Sequence, residues 1–149
     1  MGTIINIFGE SHFHKDEVSS IQHKVIKLKP DIILLENYED DVELYKIALP
    51  KTEILDLEDG VIFKEKDSLA TQFRDRENCM LKNIKNVITN LHSIKSPVHI
   101  CIVVGDTHLR TIETNELGKA ILSLGLMTIG NTIEQTMWIV HRSKYKEIE

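Results

Sequence analysis

The hydrophobic positions divide the chain into short apolar runs and longer segments in which apolar residues recur at helical spacing. Short runs of this kind are typical of strands buried on both faces of a parallel sheet, and they predict strands over residues 3–8, 32–35, 52–57, 98–104, 126–129 and 136–141. The longer segments predict helices over residues 14–28, 39–48, 65–93 and 109–124. Because strands alternate with helices, we predict an α/β fold with a mainly parallel sheet flanked by helices.

One pattern occurs twice along the chain. Residues 4–13 read I-I-N-I-F-G-E-S-H-F, and residues 100–109 read I-C-I-V-V-G-D-T-H-L. Each copy places an apolar run before glycine, an acid, a hydroxyl residue and histidine. At the same offset Ile32 and Ile33 fall on Thr128 and Ile129. We therefore predict a pseudo-repeat of two strand–Gly-x-x-His–helix–strand units.

Both copies of the motif lie where a buried strand gives way to a helix. This is the carboxyl end of a strand, where open α/β sheets bind their ligands. We expect His12 and His108 to converge there with Glu10 and Asp106. Two imidazoles with carboxylates suit a divalent transition metal or a general-base site. A duplication retained for structural reasons alone would not need such a shared site.

Two further charged residues interrupt apolar patterns. Glu36 ends the apolar run 32–35, although a polar residue at the start of a loop needs no special role. Arg76 lies on the apolar stripe of the long predicted helix, where a charge is costly unless it is paired. If that helix packs on the sheet, Arg76 needs an anionic partner, and Glu36, Asp106 or a substrate would serve. The alternative is a kinked or rotated helix with Arg76 at its rim.

The other histidines and Asp56 give weaker signals. His14 makes a His-x-His pattern with His12 but falls in the predicted first turn of a helix, so it is a minor metal candidate. Asp56 follows an apolar run in the same way as Glu36, with a less distinct pattern. The histidines without any partner pattern are interpreted as surface or core residues; they are His23, His92, His99 and His141.

Length, charge and cysteine content narrow the class of protein. A chain of 149 residues fits a single domain spanning 1–149. The net charge of −5 and the absence of a long apolar run argue against nucleic-acid and membrane partners. Cys79 and Cys101 lack metal-type spacing and are expected to be reduced, buried thiols in a cytoplasmic protein. Short strands and a small core are also compatible with a homodimer.

Four segments, taken in order, resemble the Tiki/TraB superfamily, which also contains the erythromycin esterases and the ChaN-like haem-uptake proteins. They are G-E-S-H (9–12), L-L-E (34–36), R-E-N-C-M (76–80) and G-D-T-H (105–108). Members usually carry a longer helical insertion between the two halves, and here the middle of the chain is short. Because the superfamily includes metal-dependent proteases, metal-independent esterases and haem binders, the resemblance implies an architecture and a site rather than one reaction.

The residues and the resemblance together lead us to expect a hydrolase of a peptide, an ester or a lactone. His12 and His108, with Glu36 and Glu10, would hold Mn, Co, Fe or Zn, or would position a water without metal. Arg76 would stabilise the oxyanion.

A binding protein is the alternative expectation. The same cleft would hold haem, a metal or a small anion without turnover, with His12, His108 or Tyr38 as the haem ligand. The aromatic content of 5% argues against haem. A third alternative is a regulatory or host-interaction module of the same fold with an idle site.

Overall fold

The computed structural model describes residues 3–61, 68–90, 98–114, 126–129 and 132–145. Six strands and four helices lie in these ranges, in the order β1 (Thr3–Glu10), α1 (Lys15–Leu28), β2 (Ile32–Leu35), α2 (Tyr38–Ala48), β3 (Glu53–Asp56), α3 (Leu69–Asn90), β4 (His99–Gly105), α4 (Asp106–Thr114), β5 (Leu126–Ile129) and β6 (Thr132–His141). No helix among these residues is long and apolar enough to cross a bilayer.

The six strands form one sheet in the order β3-β2-β4-β1-β6-β5. The first five of these strands are parallel, and β5 pairs with β6 in the antiparallel direction at one edge. The predicted α/β fold with a mainly parallel sheet is therefore confirmed. The apolar runs form strands because the central strands are covered on both faces, and a two-sided burial needs continuous apolar sequence.

Each face of the sheet has its own hydrophobic core. On one face α1 and α2 pack against side chains that include Phe8, Ile33 and Val103, through Ile21, Val25 and Tyr45. On the other face α3 packs through its apolar stripe, and Leu109 of α4 joins it; the stripe residues buried there are Met80, Leu81, Ile84 and Ile88. The helices therefore form by burying one amphipathic face each against the sheet.

The neighbouring strands β1 and β4 are followed by helices on opposite faces. Helix α1 follows β1 and packs on the face of Phe8, whereas α4 follows β4 and packs on the opposite face through Leu109. Two adjacent parallel strands with helices diverging in this way leave a crevice at their carboxyl ends, which is the usual ligand position in such folds. Both Gly-x-x-His motifs lie at this crevice.

Some element ends differ from the prediction. Strand β1 continues to Glu10, because its ladder with β4 extends to the pair Glu10 and Gly105. Helix α4 begins at Asp106 instead of 109, which places the second histidine in a first helical turn. Strand β6 begins earlier than predicted, at Thr132. The predicted helical residues 65–67, 91–93 and 115–124 lie outside the described ranges, as does His92.

A polar bridge crosses three strands inside the sheet. Asn6 of β1 lies between two histidines: its Nδ2 lies 2.7 Å from His99 Nε2, and its Oδ1 lies 2.8 Å from His141 Nε2. Asn6 is only 5% exposed, so both ends of its amide need such partners. These two histidines, for which the sequence showed no partner, therefore satisfy a buried amide.

Candidate functional site

Glu36, the residue after β2, occupies the centre of the crevice. Its Oε1 accepts a hydrogen bond from the backbone N–H of Gly105 at 2.6 Å. Its Oε2 lies 3.5 Å from His12 Nε2 and 3.9 Å from His108 Nε2. The structure thus brings together both motif histidines and the acid that follows β2.

His12 is oriented by a carboxylate from its own motif. Its Nδ1 donates a hydrogen bond to Oε2 of Glu10 at 2.8 Å, and the Glu10 side chain is only 2% exposed. The amide of Asn37 lies 3.1 Å from the same nitrogen. The other ring nitrogen, Nε2, is buried and has no hydrogen-bond partner among the described residues. This atom faces Oε2 of Glu36 at 3.5 Å, and a buried polar atom without a hydrogen bond calls for an explanation such as a bound ion or water.

His108 is oriented by helix α3 on the opposite face. Its Nδ1 donates to Oε1 of Glu77 at 3.0 Å, and both side chains are about 6% exposed. The ring of Phe73 stacks on the imidazole with centroids 4.3 Å apart and planes 18° from parallel. His108 therefore has a fixed ring plane and one nitrogen committed to a buried carboxylate.

Arg76 lies at the rim of the crevice and is paired. Its Nε donates to Oε1 of Glu58 at 2.9 Å, and its Nη2 lies 3.2 Å from Oε2 of Glu36. Helix α3 packs on the sheet through residues such as Met80 and Ile84, although Leu69 at its start is exposed. The Arg76 side chain is 30% exposed, and Glu36 is one of the anionic partners expected for it. Glu58, in the turn after β3, is a second partner that the sequence did not indicate.

The charges at the centre of the site are strongly coupled. Hydrogen bonding to Glu10, and then the proximity of Glu36, raise the pKa of His12 to about 10. Burial alone would raise the pKa of Glu36, but the His12 imidazole and the N–H of Gly105 lower it to about 2. Without a ligand, His12 and Glu36 therefore form an imidazolium–carboxylate pair at neutral pH.

The two motif glycines face different neighbours, because the motifs are staggered by one residue in the sheet. The strand pairing aligns Gly105 with Glu10 and aligns Gly9 with Val104. A Cβ added at Gly105 would lie 3.1 Å from His12 Nε2 and 3.2 Å from Glu36 Oε1. A Cβ added at Gly9 would lie 2.3 Å from Oδ1 of Asp106. Gly105 thus lines the site, whereas Gly9 makes room for Asp106.

Asp106 was expected in the site, and this expectation is wrong. Its Oδ1 accepts the backbone N–H of Ser143 at 2.9 Å, and its Oδ2 accepts Nε–H of Arg110 at 3.0 Å. Asp106 is 1% exposed and joins the start of α4 to the segment after β6. The cause is the stagger of the motifs, since one residue of shift turns equivalent positions to opposite faces of a sheet.

The weaker candidates have other contacts. The hydroxyl of Ser11 lies 2.7 Å from Nδ1 of His14, whose ring stacks on Tyr145 with centroids 3.5 Å apart. Asp56 accepts the backbone N–H of Glu58 through Oδ1 at 2.9 Å. Both cysteines are free as expected, but only Cys101 is buried, and Cys79 is half-buried.

Two cavities flank the ion pair of Arg76 and Glu58. One, of about 270 Å³, borders Glu36 and is lined largely by acidic residues. The other, of about 350 Å³, is lined by Glu58, Leu69, Gln72, Phe73 and Arg76. Phe73 and Arg76 contact His108 and Glu36 respectively, so the second cavity opens beside the crevice.

The sequence missed several residues that shape the site. Glu77 had a usable signal, because positions 76 and 77 both interrupt the apolar stripe of α3, and a buried acid there needs a partner. Phe73 follows the apolar spacing of α3, and no sequence pattern indicates its stacking on His108. Glu58 and Asn37 lie in loops, where polar residues are common.

Within the described ranges, no three His, Cys, Asp or Glu side chains already stand in a metal-binding arrangement. No protein-family model, curated protein or solved structure matches the chain. The fold and this crevice define an α/β protein with two oriented histidines around a glutamate whose side chain is 6% exposed.

Proposed function

We propose that the chain is a hydrolase of esters or amides that uses a divalent metal ion held by His12, His108 and Glu36. One observation carries the proposal. The Nε2 atoms of both histidines face the same carboxylate oxygen of Glu36, at 3.5 and 3.9 Å, while each Nδ1 is bound to a separate buried carboxylate. A side-chain carboxylate behind each ligating imidazole is the usual second shell of a metal site.

The distances support an ion of the size of Zn or Mn. Ligand atoms about 2.1 Å from a tetrahedral ion are about 3.4 Å from one another. The two separations from Glu36 Oε2 exceed this value by no more than about 0.5 Å, so a small movement of the His108 ring or of Glu36 would bring each histidine to that distance from it. The buried Nε2 of His12 makes no hydrogen bond with the described residues, and to bind the ion it would first release the proton that pairs it with Glu36.

The chain's own residues would divide the remaining work between them. When bound, a divalent ion would polarise the target carbonyl and lower the pKa of its water. Arg76 would stabilise the developing oxyanion from the rim, and Glu58 holds that guanidinium in place. Gly105 keeps the floor of the crevice clear, because a Cβ there would lie 3.1–3.6 Å from all three proposed ligand side chains.

The resemblance to the Tiki/TraB superfamily agrees with this proposal. The chain's four motif segments lie along the carboxyl ends of β1, β2 and β4 and on the part of α3 that faces them. We extend the proposal to membership of that superfamily, as a short member in a cytoplasmic setting. The substrate would be a small ester, a lactone or a peptide.

Haem is less well supported than a bare ion. A haem ligand must point its free nitrogen towards an open slot that accepts a porphyrin. Both Nε2 atoms instead face the side chain of Glu36, which is 6% exposed. Binding of a metal ion without turnover is the second candidate. The same three side chains would hold the ion in both cases.

The test is the metal content and the turnover of the native protein, purified without chelator or polyhistidine tag. Wild type, His12→Ala and His108→Ala are compared with His23→Ala, which removes an exposed histidine in the middle of α1, outside both motifs. Metal content is measured by mass spectrometry, and turnover with p-nitrophenyl esters, lactones and peptides with and without added Mn, Co, Fe or Zn.

Four outcomes distinguish a metal-dependent hydrolase from the other candidate functions. Near-stoichiometric metal and turnover in wild type and His23→Ala, with both lost in the two site variants, support the proposal. Metal without turnover indicates a binding protein. Turnover that needs the histidines but no metal indicates a metal-free hydrolase. If folded wild type shows neither metal nor turnover, the proposal fails.

A further inference from the structure

Helix α3 carries a buried acid that the proposed reaction does not use directly. Glu77 is 4% exposed and lies on the apolar stripe that packs against the sheet, between Phe73 and Met80. A carboxylate at such a position is costly unless it is hydrogen-bonded or paired. The hydrogen-bond partner that the structure describes for it is Nδ1 of His108, at 3.0 Å.

On the basis of the proposed function, we infer that Glu77 is the positioning residue that selects the metal-binding tautomer of His108. A neutral imidazole has one N–H and one lone pair. When Nδ1–H donates to Glu77, the lone pair lies on Nε2, the nitrogen that faces Glu36. Without the carboxylate, the ring is free to place its proton on Nε2 and to present an N–H to an incoming cation.

Helix α3 also limits the movement of the ring. Phe73, one turn before Glu77, stacks on the imidazole of His108 with centroids 4.3 Å apart. The stack fixes the ring plane, and the hydrogen bond fixes the rotation within that plane. Two side chains on one face of a rigid helix therefore determine where the Nε2 lone pair points.

The repeat explains why this acid has to come from another element. In the first motif Glu10 orients His12. The equivalent acid of the second motif is Asp106, which is turned towards Arg110 and Ser143. Glu77 accepts the Nδ1 hydrogen bond of His108, as Glu10 does for His12. Both histidines therefore bind a carboxylate, but only the first motif contains the acid that does so.

The test compares wild type with Glu77→Gln and with Asp75→Asn. Asp75 lies on the same helix and its replacement removes the same charge, but the structure gives it no contact with His108. The first measurement is the tautomer of His108 in ¹⁵N-labelled, chelator-treated protein, by two-bond ¹H–¹⁵N correlations. The second is the affinity for Co²⁺, from its visible absorption in competition with a chelator.

We expect the Nδ1–H tautomer in wild type and in Asp75→Asn, and a mixture or the Nε2–H form in Glu77→Gln. Co²⁺ affinity should fall about 10- to 100-fold in Glu77→Gln and stay within about twofold in Asp75→Asn. If Glu77→Gln does not fold, the tautomer of His108 in wild type tests the inference by itself. An Nε2–H tautomer in wild type overturns the inference.

Failure of the two proposals can be told apart. Wild type that binds no Co²⁺ contradicts the metal-dependent function, while the tautomer still tests the role of Glu77. Wild type that binds Co²⁺, with an equally tight and spectrally identical Glu77→Gln, overturns the role of Glu77 and leaves the metal site intact.

Discussion

Alanine in place of Gly9 should damage the fold, whereas alanine in place of Gly105 should damage the site. The two glycines are equivalent in the repeated motif, and neither has a positive φ, so alanine is acceptable to the backbone at both positions. The difference comes from what a new Cβ would meet. At Gly9 it would lie 2.3 Å from Oδ1 of Asp106 and 2.8 Å from Cδ2 of Leu109.

The expected cost of Gly9→Ala is about 2–5 kcal/mol. Overpacking of a rigid core costs about 1–3 kcal/mol. Displacing Asp106 also weakens its hydrogen bonds to Ser143 and Arg110, and hydrogen bonds to a charged group contribute about 1.5–3 kcal/mol. The loss of chain entropy in the unfolded state offsets at most about 1 kcal/mol. For a domain of this size the melting temperature should fall by about 10 °C.

Gly105→Ala should leave the fold nearly as stable as wild type, within about 1 kcal/mol. Its Cβ would lie 3.1–3.6 Å from the side chains of His12, Glu36 and His108, which can move by a few tenths of an ångström. The same movement separates the three proposed ligands. We therefore expect at least tenfold weaker Co²⁺ binding with little change in the melting temperature.

Urea denaturation and Co²⁺ titration of both variants test this contrast. Gly60→Ala is the control for backbone strain alone, since Gly60 has a φ of 87° and open space around it, and it should cost about 1 kcal/mol. Equal stability of Gly9→Ala and wild type, or a Gly9→Ala variant more stable than Gly105→Ala, would refute the assignment of the two glycines.

Three other results are expected. Glu58→Gln should loosen Arg76 and lower kcat about tenfold or more, with Co²⁺ affinity unchanged. A tenfold loss of Co²⁺ affinity in this variant would contradict this role. Burial raises the pKa of Cys101 to about 12, so a thiol reagent at pH 8 should modify one cysteine in the folded chain, and Cys79→Ser should remove that reaction. Burial also lowers the pKa of His99 and His141 below 6.5. The unfolded chain then binds protons more readily than the folded chain, so the free energy of unfolding of chelator-treated wild type should fall between about pH 7 and pH 5. The fall should be smaller in a variant with glutamine at both positions.

The fold class could be predicted because buried parallel strands have continuous apolar sequence. The predicted positions of β2 and β5 match the structure to the residue, since polar residues or glycines flank both apolar runs in the sequence. The end of β1 was placed too early, at residue 8, because Gly9 and Glu10 do not look like strand residues. Only the ladder with β4, a tertiary feature, keeps them extended.

The convergence of His12, His108 and Glu36 was predictable for a topological reason. Each follows a buried strand, and parallel strands end at the same edge of their sheet. Their roles as ligands remain predictions. Arg76 was found because a charge interrupts an apolar stripe, and the same reasoning applied to its neighbour would have found Glu77.

The direction of Asp106 could not be predicted. The repeat suggests that it is equivalent to Glu10, but equivalence along the chain does not fix the register between β1 and β4. The observed pairing of Glu10 with Gly105 is one residue away from a symmetric alignment. Because that one residue reverses the face, a local pattern cannot decide which acid reaches the site.

The position of β1 in the sheet has a consequence for how the chain is synthesised and folds. Both neighbours of β1, which are β4 and β6, come from the second half of the chain. Strand β1 therefore leaves the ribosome before either of its partners and has none for its backbone until β4 has been made. Such long-range pairing slows folding and leaves an apolar strand open to wrong partners. We expect slow refolding, and aggregation of nascent chains that stop before β4.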